Sequence, residues 1–386
     1  MKILVTSIVD LRKTAPNRLH HFIKFLSRHH ELSAICINDW WKAEQVDTSK
    51  YYRDFKKIID SVDIHYITNR RISPIKQEFL APILLDLPKD DFDVILNYNT
   101  LISGYYVAKK LKLPMIYDLA DDLPEMIANS PQIPKFLRFF GKWIGETMLK
   151  RTVAISTKVT GISDTLRVNY SIPNGKFEFI PNGVDTELFK KVKSNLKQEL
   201  GLDNCFVLGY VGVLREWVDL KPVYQAVKDF EDVRVLIVGE EGMLKENKKM
   251  VREYGVEDKV IFAGTVPYTD VPKYISAMDV CLIPFKQNAI SQSAVPLKLF
   301  EYMACEKPVI STRLRGVMEV VGDRILYADT ADEYVVWIRD LIDNPDLTGE
   351  LGRSGREFVI ENYDWKSIVE KLGELLIKAS GNGELE

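Results

Sequence analysis

Short apolar runs recur along the chain, separated by stretches of helical or polar character. In the first half they are KILVTSI (2–8), LSAICI (32–37), DIHYIT (63–68), DVILNY (93–98), PMIYDL (114–119) and KVTGIS (158–163). The second half repeats the rhythm with CFVLGYVG (205–212), RVLIVG (234–239), KVIFAG (259–264), DVCLIP (279–284), KPVIST (307–312) and RILYA (324–328). Such runs predict strands covered on both faces, and so parallel sheets flanked by helices such as NRLHHFIKFLSRH (17–29). Two series predict two doubly wound, Rossmann-like α/β domains, 1–182 and 183–364, joined near IPNGVDTELF (180–189), where Pro, Asn and Gly punctuate the chain. Ligands of such sheets sit beyond the carboxyl ends of the strands, so a cleft between the domains is the expected site.

The stretch SAVPLKLFEYMACEKPVIST (293–312) carries the densest chemistry. Pro296 is expected at the first helical position, where a missing N–H costs nothing. The N–H groups of Leu297 and Lys298 then have no intrahelical acceptor and can face an anion, most often a phosphate. Lys298 adds a full positive charge at that end. Glu301 lies one turn on, close to the same face, and its carboxylate can accept from two vicinal hydroxyls. Phosphate on Lys298 and ribose on Glu301 describe half a nucleotide. The other reading of the two residues is a surface ion pair at i,i+3.

PNGVD (181–185), GYVGVL (209–214), VGEEG (238–242), FAGTV (262–266), DVCLIPF (279–285) and PLKLFEYMA (296–304), in this order, resemble the motifs of family-4-type (group 1) retaining glycosyltransferases with the GT-B fold. DVILNYN, PMIYDLADD and ENYDW (361–365) extend the resemblance over most of the chain. It implies two Rossmann-like domains facing a cleft. The first would bind the acceptor and the second a nucleotide-diphosphate sugar, with a C-terminal helix (about 365–386) crossing back to the first. It implies donor contacts at Gly212, Gly239, Gly264, Val266, Ser293, Leu297, Lys298 and Glu301. Ser293 stands where the family's Glu-x7-Glu pair has its first glutamate, Val213 and Val218 where it has an arginine and a lysine, and Glu306 where it has a glycine. Arg215 and Lys298 are the available cations for the diphosphate, and a solvated loop residue is the competing reading of Arg215. Ala120 replaces a histidine, and Asp121 beside it is the candidate for orienting the acceptor or shielding ring charge. Capping or loop roles are open for Asp118, Asp121 and Asp122.

The expected reaction is transfer of the sugar to an acceptor hydroxyl of a glycan or lipid-linked glycan, with retention. Lys298, Arg215 and helix-start N–H groups would stabilise the leaving diphosphate without a metal. No cofactor is expected beyond the UDP- or GDP-sugar itself. DFD (91–93) has the Asp-x-Asp form of metal-dependent transferases, but it directly precedes a strand and is read as a polar strand start. His20 and His21 have no partner at metal-ligand spacing. The alternatives are a catalytically silent GT-B partner subunit and a nucleotide-sugar epimerase of the same architecture. A nicotinamide-dependent oxidoreductase is disfavoured because no G-x-G-x-x-G follows KILVTSI or CFVLGYVG.

Composition changes this little. The chain has 386 residues, 46% hydrophobic and 28% charged, with a net charge of −3, which suits two globular domains and argues against a nucleic-acid partner. The four cysteines are scattered and read as buried thiols of a reducing compartment. MKILVTSIVD is read as a first strand rather than a signal peptide, and no run approaches a membrane span, so a cytoplasmic enzyme is expected. KFLRFFGKWIGETMLKR (135–151) carries the stripe Phe136, Phe139, Phe140, Trp143 and Ile144 among Lys135, Arg138 and Lys142. A core-packing helix is the commoner reading of such a stripe. Peripheral contact with the inner face of an anionic membrane is the other.

Overall fold

The computed structural model describes residues 1–14, 16–39, 53–88, 91–129, 133–239 and 242–381. Glu240 and Glu241 of the VGEEG turn lie outside the described residues. The chain divides into two units, Met1–Pro181 with Trp365–Glu386, and Asn182–Asp364.

The first unit is built on a seven-stranded sheet of β1 (Lys2–Ser7), β2 (Glu31–Cys36), β3 (Asp63–Tyr66), β4 (Val94–Tyr98), β5 (Met115–Leu119), β6 (Lys158–Gly161) and β7 (Phe177–Phe179). Its order is β3-β2-β1-β4-β5-β6-β7, with every pairing parallel. The central strands are buried along their whole length, as their continuous apolar composition requires. The edge strand β7 was absent from the apolar pattern, because FEF is short and half exposed.

The helix Trp365–Ala379 belongs to this unit and packs on the helix Arg18–Leu26. Trp365 stacks on His21, ring centroids 4.8 Å apart, and meets Phe22 edge-on. His20 holds the start of the same helix. Its Nδ1 accepts from the Asn17 N–H (3.3 Å), its Nε2 lies 3.0 Å from the Leu11 carbonyl oxygen, and burial lowers its pKa to about 4. Arg18 and Asp118 form a buried two-pronged ion pair at 2.8 Å, and Arg18 also donates to the Ile180 and Pro181 carbonyls.

The expectation that the aromatic stripe of 135–151 packs in the core is overturned. Phe136 is 78% exposed, Phe139 75%, Phe140 60% and Trp143 59%. The face that the helix Arg138–Ile155 buries is the opposite one, with Gly145, Leu149 and Thr152. Gly141 and Gly145 lie close to Ile127 of the helix Leu123–Asn129, so that contact is made by small residues and leaves the aromatic rings outside.

The second unit carries a six-stranded sheet of β8 (Phe206–Val211), β9 (Val233–Val238), β10 (Val260–Gly264), β11 (Val280–Ile283), β12 (Val309–Ser311) and β13 (Leu326–Tyr327). The order β10-β9-β8-β11-β12-β13 is again all parallel, and it reverses between β8 and β11. In the first sheet the reversal falls between β1 and β4. Cys36, Cys281 and Cys305 are buried free thiols and Cys205 is half-buried. No helix of the described residues is long and apolar enough to cross a membrane.

Candidate active site

The carboxyl ends of β8, β9 and β10 finish in Gly212, Gly239 and Gly264, all at positive φ. The Gly212 N–H donates to the Val238 carbonyl and the Gly239 N–H to the Gly264 carbonyl, both at 2.8 Å, which draws the three turns into one row. Gly212 (φ 125°) and Gly239 (φ 139°) need glycine for conformation, and Gly239 for space as well. A Cβ on Gly239 would stand 2.4 Å from the Gly212 carbonyl oxygen, and one on Gly212 would stand 2.7 Å from Lys298 Nζ.

Lys298 reaches this row from the helix Leu297–Ala304. That helix starts one residue later than the sequence suggested. Pro296, at φ −71° and ψ 140°, is extended and acts as the N-cap, so it is not the first helical residue. Asn182 Nδ2 donates to the Val295 carbonyl at 2.7 Å, fixing the approach to the helix start. Tyr302 Oη accepts from the Val211 N–H at 2.8 Å, tying the helix to the end of β8. The N–H groups of Leu297 and Lys298 have no acceptor among the described residues.

Lys298 Nζ lies 3.9 Å from the Tyr210 ring centroid and 5.9 Å from that of Phe285. Desolvation lowers its pKa to about 7, against the opposing pull of Glu301. Glu301 is buried and accepts from the Tyr268 hydroxyl at 2.9 Å; desolvation raises its pKa to about 7. Among the described residues no ion pair joins the two, so the surface-pair reading is excluded. Both groups are instead held apart and desolvated, poised to titrate near neutral pH, which suits a site that receives a charged, hydroxyl-bearing ligand.

Arg215 is exposed in the loop after β8. It is near enough to Tyr210 to favour ionisation of the phenol. The Tyr210 hydroxyl donates to the Val213 carbonyl at 2.9 Å in the same turn. Val266 lies in the turn between β10 and Tyr268. Ser293 is buried, and its hydroxyl donates to the Ile290 carbonyl within its own turn (3.3 Å). Glu306 takes the left-handed conformation, φ 58°, that a glycine would adopt without strain.

Asp121 follows β5 in the first unit. Its carboxylate accepts from Asn99 Nδ2 at 3.2 Å. Its side chain is open to solvent, yet desolvation by the surrounding protein and the charge of Asp118 raise its pKa to about 6, Arg18 opposing. Its neighbours have structural partners. Asp118 pairs with Arg18 and accepts from the Thr160 hydroxyl (2.6 Å), and Asp122 caps the helix at Glu125 and accepts from the Tyr170 hydroxyl. Asp93 of DFD accepts from the Lys2 N–H at 2.7 Å, as a polar strand start does.

Tyr210, Tyr268 and Asn182 carry no mark of function in the sequence pattern. Tyr210 lies in GYVGVL, two residues before Gly212, and a tyrosine among strand residues there is its only signal.

Residues 192–358 match the family model of glycosyl transferases group 1. Among curated proteins, the chain is 23% identical over 304 residues to an uncharacterised glycosyltransferase of Methanocaldococcus jannaschii, covering 75% of this chain and 76% of that one. It is 24% identical over 249 residues to a GDP-mannose-dependent alpha-(1-6)-phosphatidylinositol monomannoside mannosyltransferase of Mycolicibacterium smegmatis, covering 60% of this chain and 65% of that one. Among solved structures it superposes on Anabaena HepE in complex with UDP and glucose with a TM-score of 0.73 and 20% identity, over 97% of this chain and 99% of that one. The chain thus has the two-domain GT-B fold, and its match to the group 1 glycosyltransferase model lies within the second unit.

Proposed function

We propose that this glycosyltransferase moves a sugar from a UDP- or GDP-sugar to an acceptor hydroxyl of a glycan or lipid-linked glycan, at the cytoplasmic side of a membrane. The observation that carries the reading is the arrangement of Lys298 and Glu301 at the switch point of the second sheet, each desolvated and neither paired with the other. Glu301 would accept from the ribose hydroxyls. Lys298 and Arg215, with the Leu297 and Lys298 N–H groups, would take the diphosphate. The row of glycines leaves the backbone bare for close approach.

As the bond from the anomeric carbon to the diphosphate oxygen breaks, its electron pair leaves with the diphosphate. The two cations favour that state over the ground state without a metal. The acceptor hydroxyl forms the new bond on the face the diphosphate leaves and passes its proton to the departing diphosphate oxygen, so configuration is retained. Asp121, in the acceptor-binding unit, would orient that hydroxyl or offset positive charge on the ring. With a pKa of about 6 it is largely ionised at neutral pH.

Calorimetric titration with a panel of UDP- and GDP-sugars tests the donor. Glu301→Ala should weaken nucleotide binding by about 1.5–3 kcal/mol, the worth of a hydrogen bond to a charged group. Unchanged affinity would remove Glu301 from the ribose. Transfer should continue in EDTA, and the anomeric configuration of the product, read by NMR, should equal that of the donor.

A further inference from the structure

Doubly wound sheets bind ligands at the point where strand order reverses, and in the first sheet that point lies beyond the ends of β1 and β4. A cavity of about 220 Å³ opens there, entirely within the first unit. Ile8 follows β1 into its wall and Leu101 follows β4, while Ile75, Met126, Ile127 and Met148 come from three surrounding helices.

Glu78 also lines it, but its carboxylate is already engaged. It accepts from the N–H groups of Leu101 (3.3 Å), Ile102 (3.0 Å) and Ser103 (3.3 Å), and from the Ser103 hydroxyl (2.5 Å). The cavity therefore offers hydrocarbon to an occupant. It is larger than the ~150 Å³ apolar cavity that stays dry and takes up benzene.

The surface beside the cavity has matching character. Phe79 and Met126 line it and are exposed. Along the helix Arg138–Ile155, Phe140, Ile144 and Met148 are spaced four apart and share one face, which links the cavity lining to the exposed aromatic stripe. Five basic residues and one acidic, Glu146, give 135–155 a net charge of +4 on a chain whose net charge is −3. Lys135, Lys150 and Arg151 are exposed and have no ion-pair partner among the described residues. Exposed aromatic rings with unpaired cations beside them complement an anionic bilayer surface.

We propose that this cavity binds the hydrocarbon chain of a phosphorylated lipid, drawn from an anionic bilayer on which the segment 135–151 rests. On the transferase reading, the lipid carries the acceptor glycan. The binding itself does not depend on that reading.

The probe is decyl phosphate below its micellar concentration, with inorganic phosphate as control, titrated calorimetrically into the full chain. Decyl phosphate should bind and phosphate should not. Ile75→Trp and Met148→Trp fill the cavity from different walls, and each should weaken decyl phosphate binding at least tenfold. Hydrogen exchange at the amides of β4 and β5, measured on the same samples, reports that the first unit of each variant is folded and should not change. Phosphatidylglycerol vesicles should sediment the protein and phosphatidylcholine vesicles should not. Phe136→Ser with Phe139→Ser should lose vesicle binding and keep decyl phosphate.

No binding of decyl phosphate by the parent protein, or equal binding by both Trp variants, would overturn the proposal. Failure to sediment with anionic vesicles would overturn its bilayer half. If no nucleotide binds while decyl phosphate does, the transferase reading falls and the lipid site stands.

Discussion

Lys298 Nζ sits 3.9 Å above the ring of Tyr210, while Glu301, one helical turn away, accepts from Tyr268. A lysine and a glutamate at this spacing ordinarily pair on a helix surface. Here two tyrosines keep them separate. The ring face stabilises the ammonium without neutralising it, and the phenol does the same for the carboxylate. The two groups are thereby held apart, without an ion pair between them, in the absence of a ligand.

The first prediction is a bell-shaped pH dependence of nucleoside diphosphate affinity, with its maximum near pH 7. Lys298 has a pKa lowered to about 7, so it loses its proton above that pH, and anion binding must then recover one from solvent. Glu301 has a pKa raised to about 7, so below that pH it must release a proton to become the better acceptor of ribose hydroxyls. Affinity should fall on each side, approaching about tenfold per pH unit. The two groups interact, so the limbs report the pair. Lys298→Met should flatten the alkaline limb and Glu301→Gln the acid limb, as measured by calorimetry in buffers of different ionisation enthalpy. A flat profile in the parent protein would place the nucleotide elsewhere.

A second prediction separates the two cations. Lys298 lies over the Tyr210 ring, and the charge of Arg215 favours ionisation of the Tyr210 phenol. If both meet the diphosphate, each change to Ala should lower turnover more than donor binding, by roughly 10²–10³ in rate. Sharing one anion, they should be non-additive in the double variant. If Arg215→Ala is silent and Lys298→Ala is not, the exposed loop around Arg215 is solvated surface. If both are silent, the donor does not bind at this row of strand ends.

Much of this was legible in the chain, and the losses have physical causes. The strands of the second unit were marked by continuous apolar runs, since a strand covered on both faces has no reason to alternate. The strand Phe177–Phe179 was not, because an edge strand of three half-exposed residues leaves no such run. Lys298 and Glu301 could be found because a cation at a helix start is locally unfavourable. Tyr210 and Tyr268 could not, because a tyrosine in an apolar run reads equally as core. The aromatic stripe of 135–151 was misplaced for a related reason. Its spacing defines a face, and only packing decides whether that face is covered; Gly141 and Gly145 gave the contact to the other side of the helix.

The glycine row supplies a third prediction. Gly239→Ala must hold an alanine at φ 139°, with its Cβ 2.4 Å from the Gly212 carbonyl oxygen. The strain is of order 1–3 kcal/mol before any clash is relieved. Gly255→Ala is the control, since Gly255 also has positive φ (64°) but meets nothing within 4 Å. Gly239→Ala should therefore lower the melting temperature more than Gly255→Ala, and it alone should lose nucleotide binding. Equal effects would mean that close approach at the strand ends is not what requires glycine there.

The last prediction concerns the first unit. Arg18 and Asp118 are 2% and 0% exposed and joined at 2.8 Å, so neither can be rescued by water when its partner is removed. Arg18→Met would leave the Asp118 carboxylate with the Thr160 hydroxyl as its remaining side-chain donor, and would also strip the Ile180 and Pro181 carbonyls of Arg18's N–H groups. Breaking a buried pair from one side costs about 3–5 kcal/mol, whereas replacing both partners by apolar groups is often close to neutral. Arg18→Met should thus be severely destabilising, and Arg18→Met with Asp118→Leu should recover much of the loss. Part should persist even so, because the two carbonyls still lack their donors. Hydrogen exchange at the amides of β5 reads this locally, and nucleotide affinity of the second unit should be unaffected throughout. If the double variant is as unstable as the sum of the singles, the two residues act independently, and the carbonyl contacts rather than the ion pair carry the role of Arg18.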